Sequence, residues 1–163
     1  MIHYIKGDAT EPIGEGHKLI VHICNDIGAW GAGFTSALDN KWEMVGNFYR
    51  DWFENENGHF EPMVLGDIQI IIAESDIQVC NMIAQRGVRT RNNTKPIDYK
   101  ALRKCLERVS DHLLLDSIGF DLPTIHMPRI GTGLAGGKWE LIEPIIQETL
   151  SDFDVYVYDF EAA

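Results

Sequence analysis

Two glycine-rich segments hold the residues whose types and spacing could do chemistry. The first runs Asn25-Asp26-Ile27-Gly28-Ala29-Trp30-Gly31-Ala32-Gly33-Phe34. The second runs Pro128-Arg129-Ile130-Gly131-Thr132-Gly133-Leu134-Ala135-Gly136-Gly137. Glycine lets a backbone approach a ligand closely and adopt conformations closed to other residues. A glycine-rich turn leading into a helix points free N–H groups outward, where they can bind anions. Neither segment is a Walker motif, because GxxxxGK(S/T) is absent, and neither has the full GxGxxG spacing. One such turn alone is equally well structural. Two in a chain of 163 residues suggest a diphosphate held from two sides.

Both segments need strands before them and helices after them. Ile2–Ile5 alternates with polar residues and stops at Gly7-Asp8. Leu19–Cys24 is nearly continuous apolar sequence, the mark of a strand buried on both faces. Ile68–Ala73 and Ile77–Ile83, separated by Glu74-Ser75-Asp76, predict a hairpin. Thr124–Met127 is a short strand ended by Pro128. Val155–Phe160 is the last, with Val155, Val157 and Asp159 on one face and Tyr156, Tyr158 and Phe160 on the other. Helix signals lie between. One helix opens at Thr35–Leu38, after the first glycines. Met44–Glu54 sets Val45, Phe48, Tyr49 and Trp52 at helical spacing. Asp98–Ser117 puts Leu102, Cys105, Leu106, Val109 and Leu113 on one face, with Asp98 as cap and Gly119 as terminator. The last helix carries Trp139, Ile142, Ile145 and Ile146, with Pro144 expected within its first turn or so. Strands alternating with helices predict a mixed sheet covered on both faces. Ligands of such sheets collect at the carboxyl ends of the strands.

Lys and Arg number 14 against 25 Asp and Glu, a net charge of −11. So acidic a surface repels nucleic acids and acidic membranes. The basic cluster Arg86, Arg89, Arg91 and Lys95 is short, lies among Asn92, Asn93 and Thr94, and suits a small phosphorylated ligand. No apolar run approaches the ~20 residues of a membrane helix, and the N-terminus lacks a secretory apolar stretch. The expectation is a cytoplasmic monomer of one domain, residues 1–163. Cys24, Cys80 and Cys105 form no CxxC pair and are expected as buried thiols. His3, His17, His59 and His112 show no metal-ligand spacing, so neither metal nor cofactor is expected.

The pieces Gly7-Asp8-Ala9-Thr10, His22-Ile23-Cys24-Asn25, Trp30-Gly31-Ala32-Gly33 and Pro128-Arg129-Ile130-Gly131-Thr132-Gly133-Leu134 resemble the macrodomain family, in order and across nearly the whole chain. The His-x-Cys-Asn and Gly-x-Trp-Gly-x-Gly arrangement, from His22 to Gly33, is similar to the ADP-ribose 1''-phosphate phosphatases of that family. The Met-Pro-Arg-Ile-Gly-x-Gly-Leu segment is similar to its terminal ADP-ribose protein glycohydrolases. The resemblance implies an α/β fold, a three-layer α/β/α macrodomain with a central mixed sheet, and ADP-ribose or a derivative as ligand. It implies that Asp8, with Ala9 beside it, meets the adenine amino group. Asn25 and Asp26 would lie near the distal ribose, and Trp30, Gly31, Ala32, Gly33 and Phe34 along the distal ribose and phosphates. Ile130, Gly131, Thr132, Gly133 and Leu134 would wrap the diphosphate. Tyr158 or Phe160 would line the adenine and proximal ribose. Asp8 is also compatible with a plain turn residue at a strand end, the lesser of the two readings.

The glycohydrolases of that branch carry a catalytic lysine after the hairpin strand and an aspartate after Gly-Leu. Here Gln85 and Ala135 stand at those places. Glutamine forms no Schiff base, and arginine, which stays protonated, is a poor nucleophile. Lysine-dependent release of ADP-ribose is therefore not expected. Hydrolysis of a phosphomonoester remains, with Asp26 or His22 as acid or base and Arg86 or Arg129 paired with the phosphate. His22 lies in an apolar run and His126 in the Thr124–Met127 strand, so both also read as core histidines. Arg129 also reads as a structural ion pair. Trp30 could stack on the ligand or cover it. The readings are a hydrolase of ADP-ribose 1''-phosphate or a related derivative, a non-catalytic ADP-ribose-binding module, and an ADP-ribosyl hydrolase using a non-lysine route.

Overall fold

A computed structural model describes residues 1–56, 58 and 61–160. The strands are β1 (Ile2–Lys6), β2 (Lys18–Asn25), β3 (Ile68–Glu74), β4 (Ile77–Gln85), β5 (Thr124–Pro128) and β6 (Val155–Asp159). The helices are α1 (Phe34–Lys41), α2 (Glu43–Glu54), α3 (Tyr99–Asp116) and α4 (Trp139–Thr149). The strands form one sheet in the order β1-β6-β5-β2-β4-β3. Every pair is parallel except β3 with β4, the expected hairpin. The carboxyl ends of five strands therefore point the same way, and both glycine loops leave from that end.

Alternation along the strands sorts side chains between two helical layers. Leu19 and Val21 of β2, Cys80 and Met82 of β4, and Val155 and Val157 of β6 pack with α3 and α4. Ile20, Ile71 and Val79 pack with Leu38 of α1, Val45 of α2 and Trp42 between them. A smaller cluster joins Cys24 and Ile83 to Tyr49 and Trp52 of α2. This is the expected three-layer α/β/α arrangement. The three cysteines are buried and free, and burial pushes the Cys105 thiol up to about 12. No described helix is long and apolar enough to cross a membrane. Among the described residues no three His, Cys, Asp or Glu gather as a metal site. His59 lies outside the described residues.

Three local expectations, on Phe48, the end of α3 and Pro144, need correction, and the exposure of Ile72 is set by the sheet edge. Phe48 is 50% exposed, because Val45, Tyr49 and Trp52 already fill the inward stripe of α2. Ile72 is 69% exposed, because β3 is a sheet edge and its register slips between Ile72 and Glu74. Helix α3 starts on the predicted cap, with Asp98 accepting the Ala101 amide at 2.9 Å, but it ends at Asp116, before Gly119. Pro144 is the sixth residue of α4, not part of its first turn. The carbonyl it leaves unbonded belongs to Glu140, on the exposed side of the helix.

Candidate functional site

A cavity of about 690 Å³ opens at the carboxyl ends of β2, β4 and β5. Its walls are the two glycine loops, and its floor is the end of β2. Loop one contributes Ala29 through Thr35, and loop two contributes Pro128 through Ala135. The loops face each other closely: a Cβ built on Gly33 would lie 4.0 Å from Leu134 Cδ1.

Loop one is shaped by Asn25. Its Oδ1 accepts the amides of Ile27 and Ala29, at 3.1 and 3.0 Å, and its Nδ2 donates to the Ala29 carbonyl at 2.7 Å. The Tyr49 hydroxyl holds Asn25 from below, at 2.6 Å from the carbonyl and 2.9 Å from Oδ1. Asn25 thus lines the cavity with its side chain already occupied. Past Trp30, Thr35 takes the Gly31 amide and gives its own hydroxyl proton to the Ala32 carbonyl. Among the described residues, the amides of Ala32, Gly33 and Phe34 have no partner. They open at the N-terminus of α1, where the helix dipole favours an anion.

Loop two is closed by its own backbone. Gly137 N donates to the Gly131 carbonyl at 2.7 Å, Gly136 N to Gly133 at 3.0 Å, and the Thr132 hydroxyl to Arg129 at 2.8 Å. Gly131 has φ +77, and a Cβ there would meet Ile97 Cδ1 at 2.6 Å, so only glycine lets the loop lie on this core. The amides of Gly131, Gly133 and Leu134 have no partner among the described residues. Two sets of open amides therefore flank one cavity.

The candidate acids and bases are placed less simply. His22 is 2% exposed at the cavity floor, edge-on to Trp30 and beside Phe34. Burial lowers its pKa to about 4, against a smaller opposing pull from Asn81. A relay of amides assigns its tautomer. Gln69 Nε2 donates to the Phe48 carbonyl, and Asn81 Nδ2 donates to Gln69 Oε1. Asn81 Oδ1 is left to accept from His22 Nε2, at 2.5 Å. His22 is thus a neutral, hydrogen-bonded residue that also lines the cavity. Asp26 is not on the lining; its Oδ1 accepts the Gly87 amide at 2.7 Å.

Other expected residues are also redistributed. Arg86 pairs with Asp98 at 2.9 Å, away from the cavity. Arg129 grips Asp159 through two bonds, at 2.7 and 3.1 Å, and its guanidinium stacks on Tyr4 and Trp139. It belongs to the lining, but its charge is balanced, in keeping with a structural pair. Asp8 stands past β1 and holds Thr10 through Oδ1, at 2.8 Å to the amide and 2.7 Å to the hydroxyl. Ala9 is buried beside it. Neither lines the cavity. Tyr158 is buried, and its hydroxyl takes the Ile13 amide at 2.9 Å and meets His126 Nδ1 at 2.7 Å. Those contacts occupy the Tyr158 hydroxyl, and the covering chain at Ile13 keeps Tyr158 off the cavity lining. Phe160, 71% exposed, is the free aromatic at that end.

Gln85 lines the cavity and donates to the Gly87 carbonyl at 2.9 Å. Ala135 is buried in the same wall and accepts the Ile97 amide. Among the described residues the lining contains no carboxylate and no lysine. It does contain Arg89, which the sequence places only within a basic cluster. No spacing rule distinguishes Arg89 from Arg86 or Arg91; the loop path after β4 decides it.

No family model matches the chain. Similar proteins do. A Bacteroides thetaiotaomicron protein of unknown function is 48% identical, covers 98% of both chains and superposes with a TM-score of 0.86. An ADP-ribose 1''-phosphate phosphatase of Candida albicans is 29% identical over 96% of this chain and 99% of its own. A macrodomain protein of Streptomyces coelicolor is 38% identical, covers 98% of this chain and 99% of its own, and has a TM-score of 0.79. With that identity over nearly the full length of both, and with the same layered fold, the chain belongs to the macrodomain family.

Proposed function

We propose that this macrodomain binds ADP-ribose and hydrolyses a phosphomonoester of it, of the ADP-ribose 1''-phosphate type. The observation that carries the reading is the pair of glycine loops with open amides facing across one cavity. Its volume of about 690 Å³ suits a nucleotide-sized ligand. In this reading the diphosphate lies between Gly31–Phe34 and Ile130–Leu134. Adenine lies toward Asp8, Ala9 and Phe160, and the distal ribose toward Asn25, Ala29 and Trp30. The likeness to the Candida phosphatase over nearly its whole length supports the phosphomonoesterase part. Water would attack phosphorus, the bond from phosphorus to the ribose oxygen would break, and that oxygen would take a proton. His22 is a base candidate, through the ring nitrogen not bonded to Asn81. Asp26 is the nearest carboxylate in sequence to the lining, through its Oδ2. Charge supports a monomer acting on a small ligand: at −11 the surface is unsuited to nucleic acid.

One observation favours a second reading, a non-catalytic ADP-ribose-binding module: among the described residues the lining offers no carboxylate or lysine, and its histidine is buried. A lysine-free ADP-ribosyl hydrolase lacks comparable support.

Calorimetry with ADP-ribose tests the shared claim, and no heat at millimolar ligand sinks it. Phosphate release from ADP-ribose 1''-phosphate by wild type, Asp26→Asn and His22→Gln tests catalysis. The expected result is turnover by wild type and at least a hundredfold loss in one variant. Equal inertness with retained binding would establish the module.

A further inference from the structure

We infer that Arg89 is the specificity-determining residue for a third anionic group on the ligand, a phosphoryl group carried by the distal ribose. The inference rests on the ADP-ribose reading above. Two arginines line the cavity, and Arg129 is neutralised by Asp159. Arg89 makes no hydrogen bond or ion pair with any described residue, so its guanidinium is the uncompensated charge on the lining. The chain as a whole carries −11, which makes an unpaired cation facing a concave site unusual for this protein.

The position of Arg89 indicates which ligand group it meets. It lies on the loop after β4, the strand next to β2 from which loop one leaves, whereas Asp8 lies beyond β1, at the opposite side of the sheet. A diphosphate between the glycine loops would have its open amides already. Arg89 is one step further along, away from Asp8, where the distal ribose and its substituents would lie.

The loop is also built to hold Arg89 still. Thr90 and Asn93 exchange backbone bonds, both at 3.1 Å, closing a tight turn just beyond it. The Asn93 amide group donates to the carbonyls of Arg86 and Val88, at 2.9 and 3.1 Å. Asp26 holds Gly87, and Arg86 N donates to the Pro96 carbonyl at 2.8 Å. A backbone braced on both sides lowers the entropy lost when its arginine engages an anion. Guanidinium matches a phosphoryl group with two parallel hydrogen bonds.

The test compares the affinities of ADP-ribose and ADP-ribose 1''-phosphate for wild type, Arg89→Gln and Arg91→Gln. Calorimetry supplies Kd, with ligand recovered intact, and KM for phosphate release replaces it where the ligand is consumed during titration but dissociates faster than it turns over. Wild type should prefer the phosphorylated ligand by about tenfold or more. Arg89→Gln should lose that preference while its affinity for ADP-ribose changes less than threefold. Arg91→Gln, exposed on the same loop but off the lining, should keep it. Equal weakening of both ligands by Arg89→Gln would overturn the inference, as would a wild type without preference, or an Arg91→Gln that loses as much. If ADP-ribose itself fails to bind, the functional reading has failed instead.

Discussion

Asp26 Oδ1 accepts the Gly87 amide at 2.7 Å, so the carboxylate that sequence offers as an acid or base also fastens the loop after β4. Asn and Ala at this position should therefore behave differently. Asp26→Asn keeps an acceptor and should stay within about 0.5 kcal/mol of wild-type stability, whereas Asp26→Ala leaves the amide unpaired and should cost about 1–2 kcal/mol. Urea unfolding gives the stabilities, and hydrogen exchange at Gly87 reports the amide. Matching exchange rates in the two variants would refute the role.

Gly46 sits in the middle of α2, where alanine is ordinarily the better helix former by about 1 kcal/mol. Here a Cβ would stand 2.6 Å from Trp30 Nε1, in an indole also tied to Asp39 at 2.9 Å. Gly46→Ala should thus destabilise, by roughly 1–3 kcal/mol. It should also shift tryptophan fluorescence and weaken ADP-ribose binding, because Trp30 lines the cavity. A more stable variant with unchanged binding would contradict the packing.

His22 and His126 are both lowered to about 4, each mainly by burial, His126 also by the nearby Lys18 charge. In the unfolded chain they protonate near 6.5, while the fold resists protonation until about pH 4. Their contribution is complete above pH 6.5, declines as the pH falls from 6.5 to 4, and changes no further below. Each accounts for up to about 3 kcal/mol. Unfolding free energies at pH 7 and 4.5 measure the loss. His126→Asn should flatten the slope; an unaltered slope would remove His126 from the account.

Gly136 has φ +72, and a Cβ on it would lie 2.5 Å from the Thr94 carbonyl, the point where loop two touches the loop after β4. The left-handed backbone alone costs an alanine about 1–2 kcal/mol, and this clash is with backbone that cannot swing aside. Gly136→Ala should lower stability by more than about 2 kcal/mol and weaken ADP-ribose binding. Thermal unfolding with and without ligand reads both. Unchanged values would show that the two loops move independently.

Periodicity and local chemistry made most of the fold legible in the sequence. The apolar stripe of α3, the Asp98 cap, the β3–β4 hairpin and the doubly buried β2 all depend on neighbours a few residues away, so their spacing carries the information. The glycine loops were legible for the same reason: glycines between a strand and a helix restrict what the backbone can do.

Side-chain roles were not legible in the same way. Tyr158 and Phe160 share a face by alternation, yet one is buried on His126 and the other is exposed, because the covering chain at Ile13 reaches only the first. Arg86 and Arg89 are three residues apart and chemically identical, but Asp98 claims the first and the cavity receives the second. Sequence by itself determined the layers, the strand ends and the two anion-ready loops, since these follow from local spacing. Tertiary structure alone decided which charges are balanced, which histidine is kept neutral and which arginine faces the cavity. Those outcomes depend on partners tens of residues away, whose distance no linear pattern encodes.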